Sequence, residues 1–191
     1  MFGTDRLPTL GAPRVVLRWM EERDVEALFG IFSNPEVMRY WSSPAMEEMA
    51  DAQNLLADVR AKFRRKTYYQ WGVARREDDR VIGTCTLFHL DLDNRRGEIG
   101  YALGREHWGQ GYMAEALGAL FTFAFQGLGL RRLEADVDPG NAGSIKTLER
   151  LGFQKEGYLR ERWLVNGRVM DTLLYGLLRR EWPGLTSSPG S

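Results

Sequence analysis

Glu98-Ile99-Gly100-Tyr101-Ala102-Leu103-Gly104-Arg105-Glu106-His107-Trp108-Gly109-Gln110-Gly111-Tyr112-Met113-Ala114-Glu115-Ala116 is the stretch on which the reading of this chain turns. Its first part, Gly97 to Leu103, reads as a strand. The period then changes. Met113, Ala116, Leu117, Leu120, Phe121, Ala124 and Phe125 recur at helical spacing, and Gly127 and Gly129 punctuate the end. A strand therefore passes through a glycine-containing loop straight into a helix. The first-turn N–H groups of a helix have no intrahelical partner, and the helix dipole makes that end partly positive. Gly109 and Gly111 remove side chains where a ligand would meet the backbone, so a phosphate or pyrophosphate cradle is expected. It is not a P-loop, because no Gly-Lys-Ser or Gly-Lys-Thr ending is present. A dinucleotide fingerprint could tolerate Ala114 as its third small residue. That fingerprint usually opens the first βαβ unit of a domain, whereas several strands precede this loop. The loop alone leaves the ligand open.

Upstream, Arg14 to Arg18 reads as a first strand. Asp24 is the expected cap of a helix through Ala27, Leu28, Ile31 and Phe32, which Asn34-Pro35 should stop. An aromatic loop, Arg39 to Pro44, leads to a more polar helix from about Ala45 to Lys66. Its basic end, Lys62-Phe63-Arg64-Arg65-Lys66, suits a helix C-terminus. Tyr68–Arg75 and Val81–Leu90 form an expected hairpin around Glu77 to Arg80. Downstream come a strand at Arg132–Val137 and a helix from about Asn141 to Leu151, closed by Gly152. A last pair, Gln154–Val165 and Arg168–Leu178, is joined at Asn166-Gly167, a type I′ turn signal.

The chain has 191 residues, enough for one domain and short for two. One domain over 1–182 is expected, with a flexible tail over 183–191. Lys+Arg and Asp+Glu are both 26, a net charge of +0, which argues against nucleic acid as a partner. The single cysteine, Cys85, excludes an internal disulfide and fits a cytoplasmic setting. No apolar run approaches the ~20 residues that cross a bilayer, so no membrane partner is expected. His89 and His107 lack metal-ligand spacing, and no metal is expected. Monomer and homodimer both remain open.

Trp108-Gly-Gln-Gly-Tyr-Met-Ala-Glu-Ala116 resembles the acyl-CoA pyrophosphate loop of the GNAT N-acetyltransferase superfamily, in its RimJ/RimL-like branch of ribosomal-protein N-terminal acetyltransferases. Asn141-Ala-Gly-Ser144, Leu148-Glu-Arg-Leu-Gly-Phe153 and Glu156-Gly157 follow in the order that family has. Leu17-Arg18, Asp24 and Asn34-Pro-Glu-Val37 agree at the front. The resemblance spans roughly Arg14 to Arg179.

It implies a single α/β (α+β) domain with a mixed, mostly antiparallel sheet of about seven strands, splayed between the fourth and fifth, and helices on both faces. It implies acetyl-CoA as co-substrate, its pantetheine bonded by the backbone of Tyr101, Ala102 and Leu103. The N–H groups of Trp108, Gly109, Gln110, Gly111, Tyr112, Met113 and Ala114 would hold the pyrophosphate, with Asn141 and Ser144 as further contacts. Met113 replaces the usual small residue and is expected to narrow the cofactor site.

The implied reaction is direct attack of a primary amine, such as a protein N-terminal α-amine, on the thioester. Such chemistry uses a base for the ammonium and a donor for the leaving thiolate. Many relatives carry the donor as a tyrosine where this chain has Leu148; Ser144 matches the donor serine of the RimL-like branch. The branch's glutamate aligns with Trp163, so Glu98 becomes the expected base, with Glu161 and Asp171 in reserve. Tyr40, Trp41, Trp71 and Trp163 are candidates for the acceptor-pocket wall. The displaced glutamate and missing tyrosine also leave open a non-catalytic acyl-CoA-binding module. A polyamine, antibiotic or amino-acid acceptor is the other alternative.

Overall fold

The computed structural model describes residues 5–165 and 167–184. The strands are β1 (Leu10–Gly11), β2 (Val15–Arg18), β3 (Tyr68–Arg75), β4 (Val81–Asp91), β5 (Arg96–Leu103), β6 (Arg132–Val137), β7 (Gln154–Val165) and β8 (Arg168–Leu178). The helices are α1 (Val25–Phe32), α2 (Pro35–Met38), α3 (Met49–Arg64), α4 (Tyr112–Thr122) and α5 (Ala142–Arg150). The strands form one sheet in the order β1-β2-β3-β4-β5-β6-β8-β7. Every neighbouring pair is antiparallel except β5 and β6. Eight strands replace the expected seven because β1 adds two residues against β2, a segment too short to leave a periodic signal.

Strand alternation separates two apolar layers. Val15 and Leu17 of β2, Tyr69, Trp71 and Val73 of β3, and Cys85 and Leu87 of β4 face α4 and α5. The α4 positions spaced in the sequence from Met113 to Phe121 are all buried there. Ala74, Val81 and Ala102 face the opposite layer, with α1, α2 and most of the buried face of α3. Helices thus cover both faces.

Local chemistry moves some boundaries. Asn34 stops α1 as expected and caps α2, its side chain accepting from the Glu36 N–H at 2.9 Å with Pro35 in the first turn. The polar helix, α3, starts at Met49 rather than Ala45. Asp51 Oδ2 there takes the N–H groups of Glu47 and Glu48, both at 3.0 Å, and so fixes where the helix begins. Asp24 makes no side-chain cap bond to α1. It is buried instead, and the Arg18 guanidinium donates to both its oxygens at 2.8 Å. The Gly167 end of the expected hairpin turn has φ +76°, and Val165 pairs with Arg168. Asn166, and residues 185–191 of the expected tail, lie outside the described residues. No helix among those described is long and apolar enough to cross a membrane.

The parallel β5–β6 ladder is short. It runs through Arg96↔Arg132, Gly97↔Leu133 and Glu98↔Glu134 and then stops, so Ile99–Leu103 and Ala135–Val137 diverge. Charge pins the closed end: Arg96 donates to Glu134 at 2.9 Å, and Arg132 bonds Glu134 at 2.7 Å and also Glu156. This is the expected splay.

The buried Arg18–Asp24 pair generates a stability prediction. Its side chains are only 12% and 5% exposed, so Arg18→Met should leave an uncompensated carboxylate and cost about 3 kcal/mol. Urea unfolding followed by far-UV circular dichroism measures it.

Candidate active site

The open end of the splay leads into a cavity of about 280 Å³ whose walls come from both faces of the sheet. On one side are Tyr101 of β5, Ser144 and the buried Leu148 of α5. On the other are Glu98 of β5 and Asp136 of β6, both half-buried. Beyond them stand Tyr40, Trp41 and Trp163. The expected Ser144, Glu98 and three of the four aromatic residues therefore meet in one place.

Trp71 does not. It is fully buried on the α4 side of β3, its indole N–H donating to the Pro8 carbonyl at 2.8 Å and its ring edge-on to Phe123. Its parity on the strand is opposite to that of an acceptor-side residue, so it is core.

Asn141 caps α5, accepting from the Ser144 N–H at 3.1 Å. This orients the first turn of the helix and with it the Ser144 hydroxyl, which lies 2.5 Å from the Tyr101 hydroxyl. Burial pushes the Tyr101 phenol well above its ordinary value, so it stays protonated and able to donate. Sequence reasoning assigned Tyr101 only a backbone contact. A phenol from β5 thus stands beside Ser144, and only the strand-to-helix contact, not any spacing in the sequence, reveals it.

Glu98 accepts from or donates to His89 at 2.9 Å, by way of Nδ1 and Oε2. Burial raises the Glu98 carboxyl above the usual carboxylate range, the His89 bond opposes that, and Asp136 and Glu134 add to it. Asp136 is likewise raised, chiefly by burial. Sequence reasoning missed both His89 and Asp136. Parity could have found Asp136, since β6 buries Leu133, Ala135 and Val137 on the other face. Of the reserve bases, Asp171 lines the cavity. Asp171 is held by the Tyr158 hydroxyl and the Glu161 N–H, and the Tyr158 bond first of all pulls its carboxyl below the ordinary value. Glu161 is exposed with φ +53° and does not line the cavity.

The glycine loop fits a phosphate group. Gly111 is left-handed, φ +83°, and caps α4 without a side chain. A Cβ on Gly109, φ +73°, would meet nothing within 4 Å, so open space adjoins the loop there, although the Trp108 N–H expected to join the cradle donates instead to the Arg105 carbonyl at 3.3 Å. Arg14 braces the loop: it bonds Glu115 at 2.6 Å and the Gln110 carbonyl at 2.8 Å, and lies 4.5 Å over the Tyr112 ring. Met113 points away, buried with its sulfur 3.6 Å from that of Cys85, and so does not narrow the site. Trp108 is exposed and donates to the Leu103 carbonyl at 2.7 Å. That bond occupies one of the expected backbone acceptors. Ala102 is buried against the α1–α3 layer, leaving only its backbone for a ligand. Ala114 is half-buried in the first turn of α4.

Residues 14–154 match the Acetyltransferase (GNAT) domain family. The chain is 38% identical to an uncharacterized N-acetyltransferase, p20, of Bacillus licheniformis over 93% of its own length and 100% of that protein. It is 26% identical to the ribosomal protein uS5-alanine N-acetyltransferase of Escherichia coli, over 92% of this chain and 93% of that one. Among solved structures, Mycobacterium smegmatis RimJ in complex with CoA-disulfide superposes with a TM-score of 0.83. The identity is 25%, covering 92% of this chain and 90% of RimJ.

The raised Glu98 carboxyl carries a stability consequence with a definite sign. A carboxyl held above its unfolded value stabilises the fold only while protonated, and that contribution is lost as pH rises through the folded value. Glu98→Gln should therefore unfold at higher urea than the parent at pH 7. The difference should vanish in acid, where Glu98 is protonated in both folded and unfolded chains. Paired urea titrations across pH measure both.

Proposed function

The chain belongs to the GNAT acetyltransferase family and is an N-acetyltransferase, and from that premise we propose that it transfers the acetyl group of acetyl-CoA to a protein N-terminal α-amine. The observation that carries the mechanism is the cavity through the splay, which has a hydroxyl pair on one face and a proton-hungry carboxylate on the other. When bound, acetyl-CoA supplies the activated acyl group and departs as the thiol.

The first-turn N–H groups of α4, with Gly109 and Gly111, hold the diphosphate. The unpaired β5 edge beyond Glu98 bonds the amide arm as an added strand would. Glu98 takes a proton from the incoming ammonium, which needs a carboxylate poised above the ordinary range. Ser144 Oγ gives a proton to the departing sulfur and takes back the one the nitrogen sheds as the amide forms, while the protonated Tyr101 hydroxyl holds Ser144 in place. Asn141 serves this step by fixing the α5 N-terminus. Tyr40, Trp41 and Trp163 flank the acceptor amine with amphipathic surface. The acetylation of ribosomal protein uS5 alanine by a relative supports a protein N-terminus as the acceptor.

The test is mass spectrometry of peptides with free N-termini and of small amines, each incubated with the protein and acetyl-CoA. Acetylated α-amines are expected, and acetylation confined to polyamines or amino acids would overturn the acceptor. In the same assay Ser144→Ala should lower kcat by about 10²-fold or more while acetyl-CoA affinity by calorimetry is unchanged.

The loop is tested separately. Gly109→Val should weaken acetyl-CoA binding at least about tenfold, because its side chain enters the space beside the N–H groups. The left-handed backbone adds a stability cost of about 1–2 kcal/mol, measured by thermal unfolding without ligand.

A further inference from the structure

His89 stands in the left-handed region, φ +45°, which few non-glycine residues occupy. It sits where the pairing of β4 with β5 slips between Phe88 and Asp91. Slips of this kind re-aim a side chain. In regular register the β4 residue opposite Glu98 is Phe88, which has no polar atom to offer. The slip brings the next residue round, so that imidazole Nδ1 reaches Glu98 Oε2 at 2.9 Å. The Phe88 ring lies against the imidazole, centroids 4.7 Å apart. The imidazole is 73% exposed and the glutamate side chain 19%, so the histidine covers a carboxylate that is otherwise withdrawn from water.

We infer that His89 is a positioning residue for the base. Its Nδ1–H donates to Oε2 of Glu98, fixing the carboxylate's rotation and leaving Oε1 to receive the amine proton. This rests on Glu98 acting as the base. Donation from Nδ1 follows from the ionised carboxylate, which can only accept. In the step itself an N–H bond of the ammonium breaks and an O–H bond forms at Oε1, while His89 keeps its Nδ1 proton.

The neighbouring charges sharpen the role. From β6, Asp136 and Glu134 both face Glu98 and favour its protonated form. Glu134 is bonded by Arg96 and Arg132, and Arg162 of β7 acts on Asp136. Among the groups acting on Glu98, His89 is the one that favours the ionised form. Without it the base would be protonated over more of the working range and free to rotate.

Two substitutions separate donor from backbone. His89→Gly relaxes the left-handed backbone and removes the donor. His89→Asn tolerates that backbone and keeps an N–H near the position of Nδ1. The first readout is the 13C titration of the Glu98 carboxyl in the full chain, its signal identified by its loss in Glu98→Gln. The second is kcat/KM against pH with acetyl-CoA and an alanine-initiated peptide. In His89→Gly the Glu98 midpoint should move to higher pH. The acid limb of kcat/KM should follow it, with a loss of about tenfold at the acid end, the worth of one bond to a charged group. His89→Asn should recover most of both.

An unmoved Glu98 midpoint in His89→Gly overturns the inference, and that titration needs no acceptor. If Glu98→Gln turns over like the parent, the base assignment falls and the role of His89 falls with it. If Glu98→Gln loses turnover while the acid limb ignores His89→Gly, the positioning role alone is refuted.

Discussion

The constraint on which the molecule depends is the end of the β5–β6 ladder at Glu98↔Glu134. A parallel pair that continued would close the sheet and leave no passage between its faces. The three paired residues are enough to fix the two strands side by side, and the Arg96, Arg132, Glu134 and Glu156 charges hold that end shut. Beyond it the strands have different obligations. β5 stays in register with β4 as far as Gly83↔Leu103, and β6 stays with β8 as far as Val137↔Leu173. Each is satisfied on its outer side, so the inner edges can part without orphaning both sides of a strand.

The glycine loop is held to this opening by the far end of the chain's first strands. Arg14, just before β2, reaches Glu115 and Gln110, 101 and 96 residues away. The loop's left-handed glycines give it freedom, and Arg14 removes that freedom again, its guanidinium lying beside Gly111 while the space beside Gly109 stays open. Glu115 lies in the first turn of α4, where a carboxylate suits the helix dipole. An anion arriving at the same N-terminus would otherwise meet that negative charge. Engagement by Arg14 neutralises it, so the cradle stays receptive.

Much of this was legible in the sequence because it is local. The helical spacing from Met113 to Phe125, the glycines before it and Asn141 before α5 each act within a few residues, and each element formed near where its spacing put it, with α4 ending at Thr122 and Phe123–Gly127 widening into a π-helical turn. The splay itself was legible only through resemblance, since nothing in β5 or β6 marks where a ladder will end. What stayed hidden was set by tertiary parity and by slips. Trp71 has the composition of a pocket residue, but its strand turns it to the core. Asp24 has the composition of a cap, but it takes the Glu21 N–H one turn before α1 and is held there by Arg18. His89 reaches Glu98 only because β4 carries a bulge there, and no residue type announces that bulge.

In the proposed mechanism the same parity lets one strand serve two steps of a proton-coupled reaction. Glu98 and Tyr101 are three apart on β5, an odd spacing that sends them to opposite faces. Ile99 and Tyr101 pack with the α4–α5 layer, and Ala102 with the α1–α3 layer. A base and a donor on opposite faces of a closed sheet could never address one reacting centre. At a splay they can, because the cavity passes through the plane of the sheet and both side chains line it. The separation also keeps them from neutralising each other: the phenol pairs with Ser144 and the carboxylate with His89. In the proposed reaction Glu98 takes one proton from the ammonium on one side, and Ser144 passes the other from the nitrogen to the sulfur on the opposite side. Moving either residue by one position along β5 would put both on the same face and remove that division of labour.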